Sequence, residues 1–209
     1  MYSAKDFYNQ FWNNSEDGHF HDFHFKWPLV QDLVKGTKKI NVLDYGCGDG
    51  SYIEGILKVN PKIKPYGIDI SKIAINRAHK NIPNGTFFVQ GDDKKIPLKN
   101  KSIDLVLAMD VIEHVFYADR VINEFGRIIK PGGTLFLSTP YHGLIKNLLI
   151  SLRYFDQVFD PTKAHIRFFT KKTLYKLLNN AGFNVIKSGY YGRFYPIPRA
   201  MYVVCEKVK

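Results

Sequence analysis

Apolar residues along the chain form short continuous runs, separated by stretches in which they recur every three or four positions. Strands alternating with amphipathic helices in this way predict a doubly wound α/β domain, a parallel sheet with crossover helices. The predicted strands are Ile40–Asp44, Lys64–Asp69, Thr86–Gln90, Ile103–Met109 and Thr134–Ser138, with two more around Asn184–Tyr190 and Ala200–Glu206. The fourth run, IDLVLAM, is apolar at nearly every position, as a strand covered on both faces should be. Helices are predicted over Ser51–Val59, Lys72–Lys80, Ala118–Ile129 and Lys171–Ala181. Ser71 can cap the second of these and Gly182 can end the last. The run Lys130–Gly133 (KPGG) reads as a turn.

Two stretches stand outside the alternation within a single expected domain, 1–209. Residues 1–30 hold Phe7, Tyr8, Phe11, Trp12, Phe20, Phe23, Phe25 and Trp27, with His19, His21 and His24 among them. Residues 140–169 separate the fifth strand from the helix after it. Ligands of open α/β sheets bind beyond the carboxyl ends of the strands, so both stretches are expected to wall a pocket, the first as an N-terminal cap. Within the second, Leu144–Phe155 is apolar with Lys146 and Arg153 near its ends, a pattern suited to a pocket lid or to peripheral contact with a membrane surface.

Composition narrows the class. With 209 residues, 45% of them hydrophobic and 23% charged, the chain has the make-up of a globular protein with a sizeable core. The start, MYSAKDFYNQFW, lacks the basic and apolar regions of a secretory signal, and no apolar run reaches the roughly 20 residues of a membrane span. Cys47 and Cys205 have no metal-site or disulfide spacing, so a cytoplasmic enzyme with reduced thiols is expected. The net charge of +11 comes mainly from 23 lysines against 7 arginines, scattered without a basic run. That spread speaks for a solvated surface more than for a nucleic-acid partner.

The segment VLDYGCGDGSYIEGIL carries the strongest chemical signal. A buried strand runs into Asp44, then Gly46, Cys47, Gly48 and Gly50, then a helix with free N–H groups at its start. Ser51 stands where a dinucleotide fingerprint has its third glycine. Asp44 and Asp49 make the loop poor company for a pyrophosphate and acceptable for a ligand bearing an ammonium and a sulfonium. The second strand ends in Asp69, where a carboxylate can accept both hydroxyls of a ribose. The third leads to Gly91, Asp92 and Asp93, where an acidic side chain can accept from an adenine amino group.

VLDYGCGDG, GIDIS, VQGDDKKIPL, DLVLAMDVIEHV and IKPGGTLFLSTP together resemble the successive motifs of class I S-adenosylmethionine-dependent methyltransferases, in their small type 11 branch. The resemblance covers about residues 40–140 and continues loosely to the end of the chain. It implies a seven-stranded, mostly parallel, Rossmann-like sheet with an antiparallel last strand, and S-adenosyl-L-methionine as cofactor. It implies Asp44, Gly46, Gly48 and Gly50 for the methionine portion, Asp69 for the ribose and Asp92 for the adenine. Ile70 would pack on the adenine face, with Met109 and Asp110 under the sulfonium, and Cys47 would be a small loop residue. The later segments STPYHG, NLLISL and PTKAHIRFFT are loosely similar to ubiquinone-biosynthesis O-methyltransferases. They suggest a lipid-linked, quinone-like or sugar-like small-molecule acceptor.

A hydroxyl acceptor needs a base, and histidine suits neutral pH. His142 and His165 follow the fifth strand where an acceptor should sit, and His114 follows the fourth. Tyr141 and Arg167 can orient a polar or anionic acceptor. No metal is assigned, although Asp110, Glu113 and His114 share i, i+3, i+4 spacing that would put them on one face of a helical turn. Two other readings remain: a nucleic-acid methyltransferase, for which the AMDVIEH segment lacks the usual Asn/Asp-Pro-Pro-aromatic motif, and a non-catalytic cofactor-binding module. A dehydrogenase is a more remote third.

Overall fold

A computed structural model describes residues 3–14, 23–35, 38, 41–91, 94–160 and 164–208. Strands β1 (Asn41–Tyr45), β2 (Lys64–Asp69), β3 (Thr86–Val89), β4 (Ile103–Met109) and β5 (Ile129–Pro140) lie parallel, in the spatial order β3-β2-β1-β4-β5. Beyond β5, the last strand β7 (Ala200–Lys207) inserts antiparallel between β5 and β6 (Phe183–Tyr191). This is the doubly wound sheet that the sequence pattern predicts, with its strand order reversing between β1 and β4.

Consecutive residues of a strand point to opposite faces, and the core divides accordingly. Leu43, Val106, Leu135 and Leu137 face one side, with α5 (Ala118–Ile128) and α8 (Lys171–Asn180) packed there through Ile122, Phe125, Leu174 and Leu178. Their neighbours Val42, Leu105, Leu107 and Phe136 face the other side, against Val30 and Val34 of α2 (Phe23–Val34) and Ile56 of α3 (Ser51–Val59). Each such side chain, fully buried, contributes roughly 1.5–3 kcal/mol. Helix α4 (Lys72–Asn81) starts as expected, with the Ser71 hydroxyl accepting from Ala74 N at 3.3 Å.

Two features differ from the expectation. The run Lys130–Gly133 does not end a helix ahead of a separate strand. Strand β5 already pairs at Ile129 with Ile103, makes an irregular excursion with Gly132 at φ 73°, and resumes pairing at Thr134 with Leu105. The KPGG turn chemistry is thus absorbed as a bulge inside the strand. The N-terminal stretch, for which no elements are predicted, forms α1 (Ala4–Asn14) and α2. Helix α2 packs on α3 by setting Phe23 against Tyr52, with ring centroids 4.8 Å apart, and Trp27 over Gly55. Gly55 makes this approach feasible, because a Cβ there would stand 2.7 Å from the Trp27 ring. Helix α1 lies over α4, where Arg77 sits above the Trp12 ring and the Ser71 hydroxyl bonds Asn9 Oδ1 at 2.8 Å.

Residues 140–169 supply α6 (Leu144–Arg153) and the short α7 (Phe155–Val158), neither of which buries a residue. Among the described residues no helix is long and apolar enough to cross a membrane.

Candidate active site

A cavity of about 460 Å³ opens at the carboxyl ends of β1, β2, β3 and β4, a volume suited to a small-molecule ligand. Its floor is the loop after β1. Gly46, Gly48 and Gly50 take φ of 81°, 54° and 85°, and the Gly46 and Cys47 amides both donate to Ile68 O. A Cβ at Gly46 would lie 2.3 Å from Val111 Cγ2, so only glycine lets the loop pass beneath the β4 turn. Gly46 and Gly48 line the cavity, whereas Asp44, Cys47 and Gly50 lie behind the lining, and Gly50 precedes α3.

Asp69 lines the cavity at the end of β2. Its Oδ2 accepts from Gly48 N at 3.0 Å and its Oδ1 from Ser71 N at 2.8 Å, so both oxygens are fixed by backbone. Burial pushes its pKa up, and these hydrogen bonds oppose the shift. Asp44, 2% exposed, is pushed up to about 7 by burial first and by Asp69 second, with Lys26 pulling the other way. Ile70 lines the same end, as do Gln90 and Gly91 beyond β3. Asp92 and Asp93 lie outside the described residues, as do His19 and His21.

At the end of β4, Met109 and Asp110 line the cavity, and Asp110 takes φ 53°. Its carboxylate accepts from Ser138 Oγ at 2.7 Å and Tyr191 OH at 3.3 Å, and pairs with the ammonium of Lys26. Lys26 is 2% exposed and is carried in by α2. One buried lysine therefore stands near the carboxylates of Asp44, Asp110 and Glu113. The lining itself brings the carboxylates of Asp69 and Asp110 together with the cations of Lys26 and Arg199, which suits a ligand carrying both signs of charge.

Lys26 carries no signal in the sequence beyond being a lone lysine inside an aromatic run, FHFKWP. Tyr8, Phe11 and Trp12 of α1, in the stretch expected to wall the pocket, line the cavity, and so does Arg199, just before β7, which the sequence does not mark as a site residue.

The three candidate histidines are not equivalent. His114 and His165 both line the cavity, with ring centroids 4.7 Å apart. His114 Nδ1 donates to Ala164 O at 2.9 Å, which leaves Nε2 as the atom with the lone pair. Burial lowers its pKa, and the Ala164 bond opposes the shift. His142 stands outside the lining, 6% exposed, with Nδ1 on Asn147 Oδ1 at 3.1 Å and its ring edge against Phe168. Tyr141 is also outside, packed edge-on against Tyr190. Arg167 spends its guanidinium on main-chain oxygens, bonding Val115 O at 2.9 Å and Phe116 O, and so fastens its own segment to the β4 turn.

A family model described as a methyltransferase domain matches residues 19–188. O-methyltransferase 3 of Dictyostelium discoideum is 29% identical over 183 residues, covering 77% of this chain and 40% of that protein. The ubiquinone biosynthesis O-methyltransferase of Pelagibacter ubique is 32% identical over 119 residues, 53% of this chain and 46% of that one. The chain thus spans about half the length of the curated relatives it matches. Among solved structures, the methyltransferase in a complex with the Trm112 methyltransferase activator of Haloferax volcanii superposes with a TM-score of 0.79. It is 16% identical, with 99% of this chain and 98% of that one covered, which speaks for the fold. The glycine loop, the carboxylates at successive strand ends and the match over most of the chain agree: this chain belongs to the methyltransferase-domain family, whose members use S-adenosylmethionine.

Proposed function

We propose that this chain transfers the methyl group of S-adenosylmethionine to a hydroxyl of a small, apolar or lipid-linked metabolite. The observation that carries the acceptor side of this reading is the pair of imidazoles, His114 and His165, lining the cavity next to Met109 and Asp110. When bound, the cofactor supplies an activated methyl on a sulfonium, so the acceptor oxygen gains the methyl, its proton leaves and a neutral thioether remains.

The chain's own residues supply orientation, which brings reactants to near-attack distance. Asp69, with both oxygens already positioned by Gly48 and Ser71, takes the ribose hydroxyls. Ile70 packs on the adenine, with Asp92 or Asp93 accepting from its amino group. Asp110 meets the cationic end, with Asp44 behind the lining, and Lys26 answers the single carboxylate of the methionine portion. Tyr8, Phe11 and Trp12 exclude water from above. His165, at the open side of the cavity, removes the acceptor's proton. His142, buried beside it, positions Phe168 and the wall rather than meeting the acceptor.

An apolar acceptor is favoured by α6 and its surroundings. Leu144 is 86% exposed and Leu152 76%, with Ile145, Leu148 and Leu149 also exposed between them. Lys146 donates to Pro198 O and Arg199 O at 2.9 and 3.0 Å, so the outward face is apolar with Arg153 at its end, and it suits peripheral contact with a lipid surface, from which the acceptor would be drawn. Cys47 and Cys205 are both buried free thiols, consistent with a reducing, cytoplasmic setting.

The test is methyl transfer from labelled cofactor to a panel of polyprenyl-linked sugars, quinols and catechols, with products identified by mass. Label appearing on a hydroxyl supports the reading. Label entering RNA or DNA instead, with tight and strongly salt-dependent binding, supports the nucleic-acid alternative.

A further inference from the structure

The geometry points to a divalent transition-metal site formed by Glu113, His114 and His165 at the acceptor end of the cavity. One ligand atom from each, a carboxylate oxygen and two imidazole nitrogens, lies within 4.8 Å of the other two. Metal–ligand bonds of about 2.1 Å put neighbouring ligand atoms about 3–4 Å apart, so small side-chain rotations close the set on an ion.

An independent observation comes from Glu113 itself. Its side chain is 1% exposed, and Oε2 accepts from Thr139 Oγ1 at 3.0 Å. Oε1 has no hydrogen-bond partner among the described residues and faces His114 Nε2 at 3.8 Å. A buried carboxylate oxygen without a donor is costly unless something positive meets it. Lys26, the nearby cation, is taken by Asp110.

The ligands are also preset in the way metal sites require. His114 Nδ1 donates to Ala164 O, and that outer bond fixes the ring with Nε2 directed at Glu113. Ile166 N and Arg167 N both donate to Glu113 O, at 3.0 and 3.1 Å, so the segment bearing His165 is tied to the segment bearing the other two. The three ligands span 52 positions of sequence and are held by main-chain bonds that need no ion. Two imidazoles and one carboxylate suit zinc, manganese, iron or cobalt better than calcium or magnesium.

This deepens the proposed function and rests on it for the ion's role but not for its binding. A coordinated acceptor hydroxyl becomes more acidic, and its proton passes to water at the cavity mouth. With an ion bound, His165 serves as a ligand and the ion acidifies the hydroxyl; without one, His165 is the base.

The test uses the full chain, stripped of metal with a chelator, and cobalt(II) chloride as the probe. The site predicts saturable binding of one equivalent, with ligand-field absorption in the visible. That signal should weaken more than tenfold in His165→Ala and in His114→Ala, and persist in His24→Ala. His165 is exposed, so its replacement leaves folding intact, as circular dichroism will verify. No saturable absorption on folded protein, or equal absorption in His165→Ala, would overturn the inference. Calorimetry with S-adenosylhomocysteine on the same samples separates the readings. Heat from the nucleoside without a cobalt site removes only the metal, whereas a cobalt site without nucleoside binding removes the methyl-transfer reading.

Discussion

Lys26 of an N-terminal helix forms an ion pair with Asp110, 84 positions away at the end of β4. The pair joins the capping helix to the sheet at the point where strand order reverses. Replacing Lys26 by Met leaves the Asp110 carboxylate without its counter-charge. A loss of about 2–3 kcal/mol in unfolding free energy is expected. That is below the usual cost of breaking a fully buried pair, because the Asp110 side chain is 26% exposed. Urea unfolding measures it, and Lys26→Met combined with Asp110→Asn should recover part of the loss. A single variant as stable as the parent would contradict this role.

Gly46 tests the loop. Gly46→Ala must place a Cβ 2.3 Å from Val111 Cγ2 at φ 81°, and both conditions cost stability. A loss of about 2 kcal/mol or more is expected from thermal unfolding, with S-adenosylhomocysteine affinity falling at least tenfold. Adding Val111→Ala relieves the clash but not the backbone strain, so recovery should be partial. Complete recovery would show that the φ value carries no cost.

Asp69 tests the floor of the cavity. Asp69→Asn keeps the shape but turns one acceptor into a donor against Gly48 N or Ser71 N. The expected result is weaker binding of S-adenosylhomocysteine, by more than tenfold, together with about 1–3 kcal/mol of lost stability. Unchanged affinity would remove Asp69 from the nucleoside site.

Asp44 makes stability depend on pH. Its pKa rises from 3.8 to about 7 on folding, chiefly through burial. A carboxyl raised in this way stabilises the fold fully below pH 3.8 and loses that contribution as pH climbs through about 7. Relative to Asp44→Asn, the cofactor-free parent should lose stability by a few kcal/mol between these limits. Parallel curves for the two proteins across that window would count against a protonated Asp44.

Much of this was legible in the sequence where local pattern and packing agree. Ile103–Met109 is buried on both faces and reads as a strand from either direction. Gly46, Gly48, Asp69, Ile70, Met109 and Asp110 follow from motif order, because successive strand ends converge on one cavity. The bulge at Lys130–Gly133 was hidden because turn residues within a strand look like a terminator. Lys26 was invisible because its pairing depends on how α2 docks, and nothing local records that. The Asp110–Glu113–His114 grouping assumed a helical turn. In the structure Asp110 pairs with Lys26, and the group that gathers with Glu113 and His114 takes His165, 52 residues beyond Glu113. His142 and His165 were indistinguishable by sequence, and only the course of residues 164–170 sets one in the cavity and the other behind Phe168.

Methyl transfer by this chain requires that the cavity at the strand ends hold a thioether nucleoside. Isothermal calorimetry of the folded, metal-free full chain with S-adenosylhomocysteine measures this directly. Saturable heat at one equivalent per chain is expected. Flat titrations on protein whose circular dichroism shows the α/β fold would contradict it.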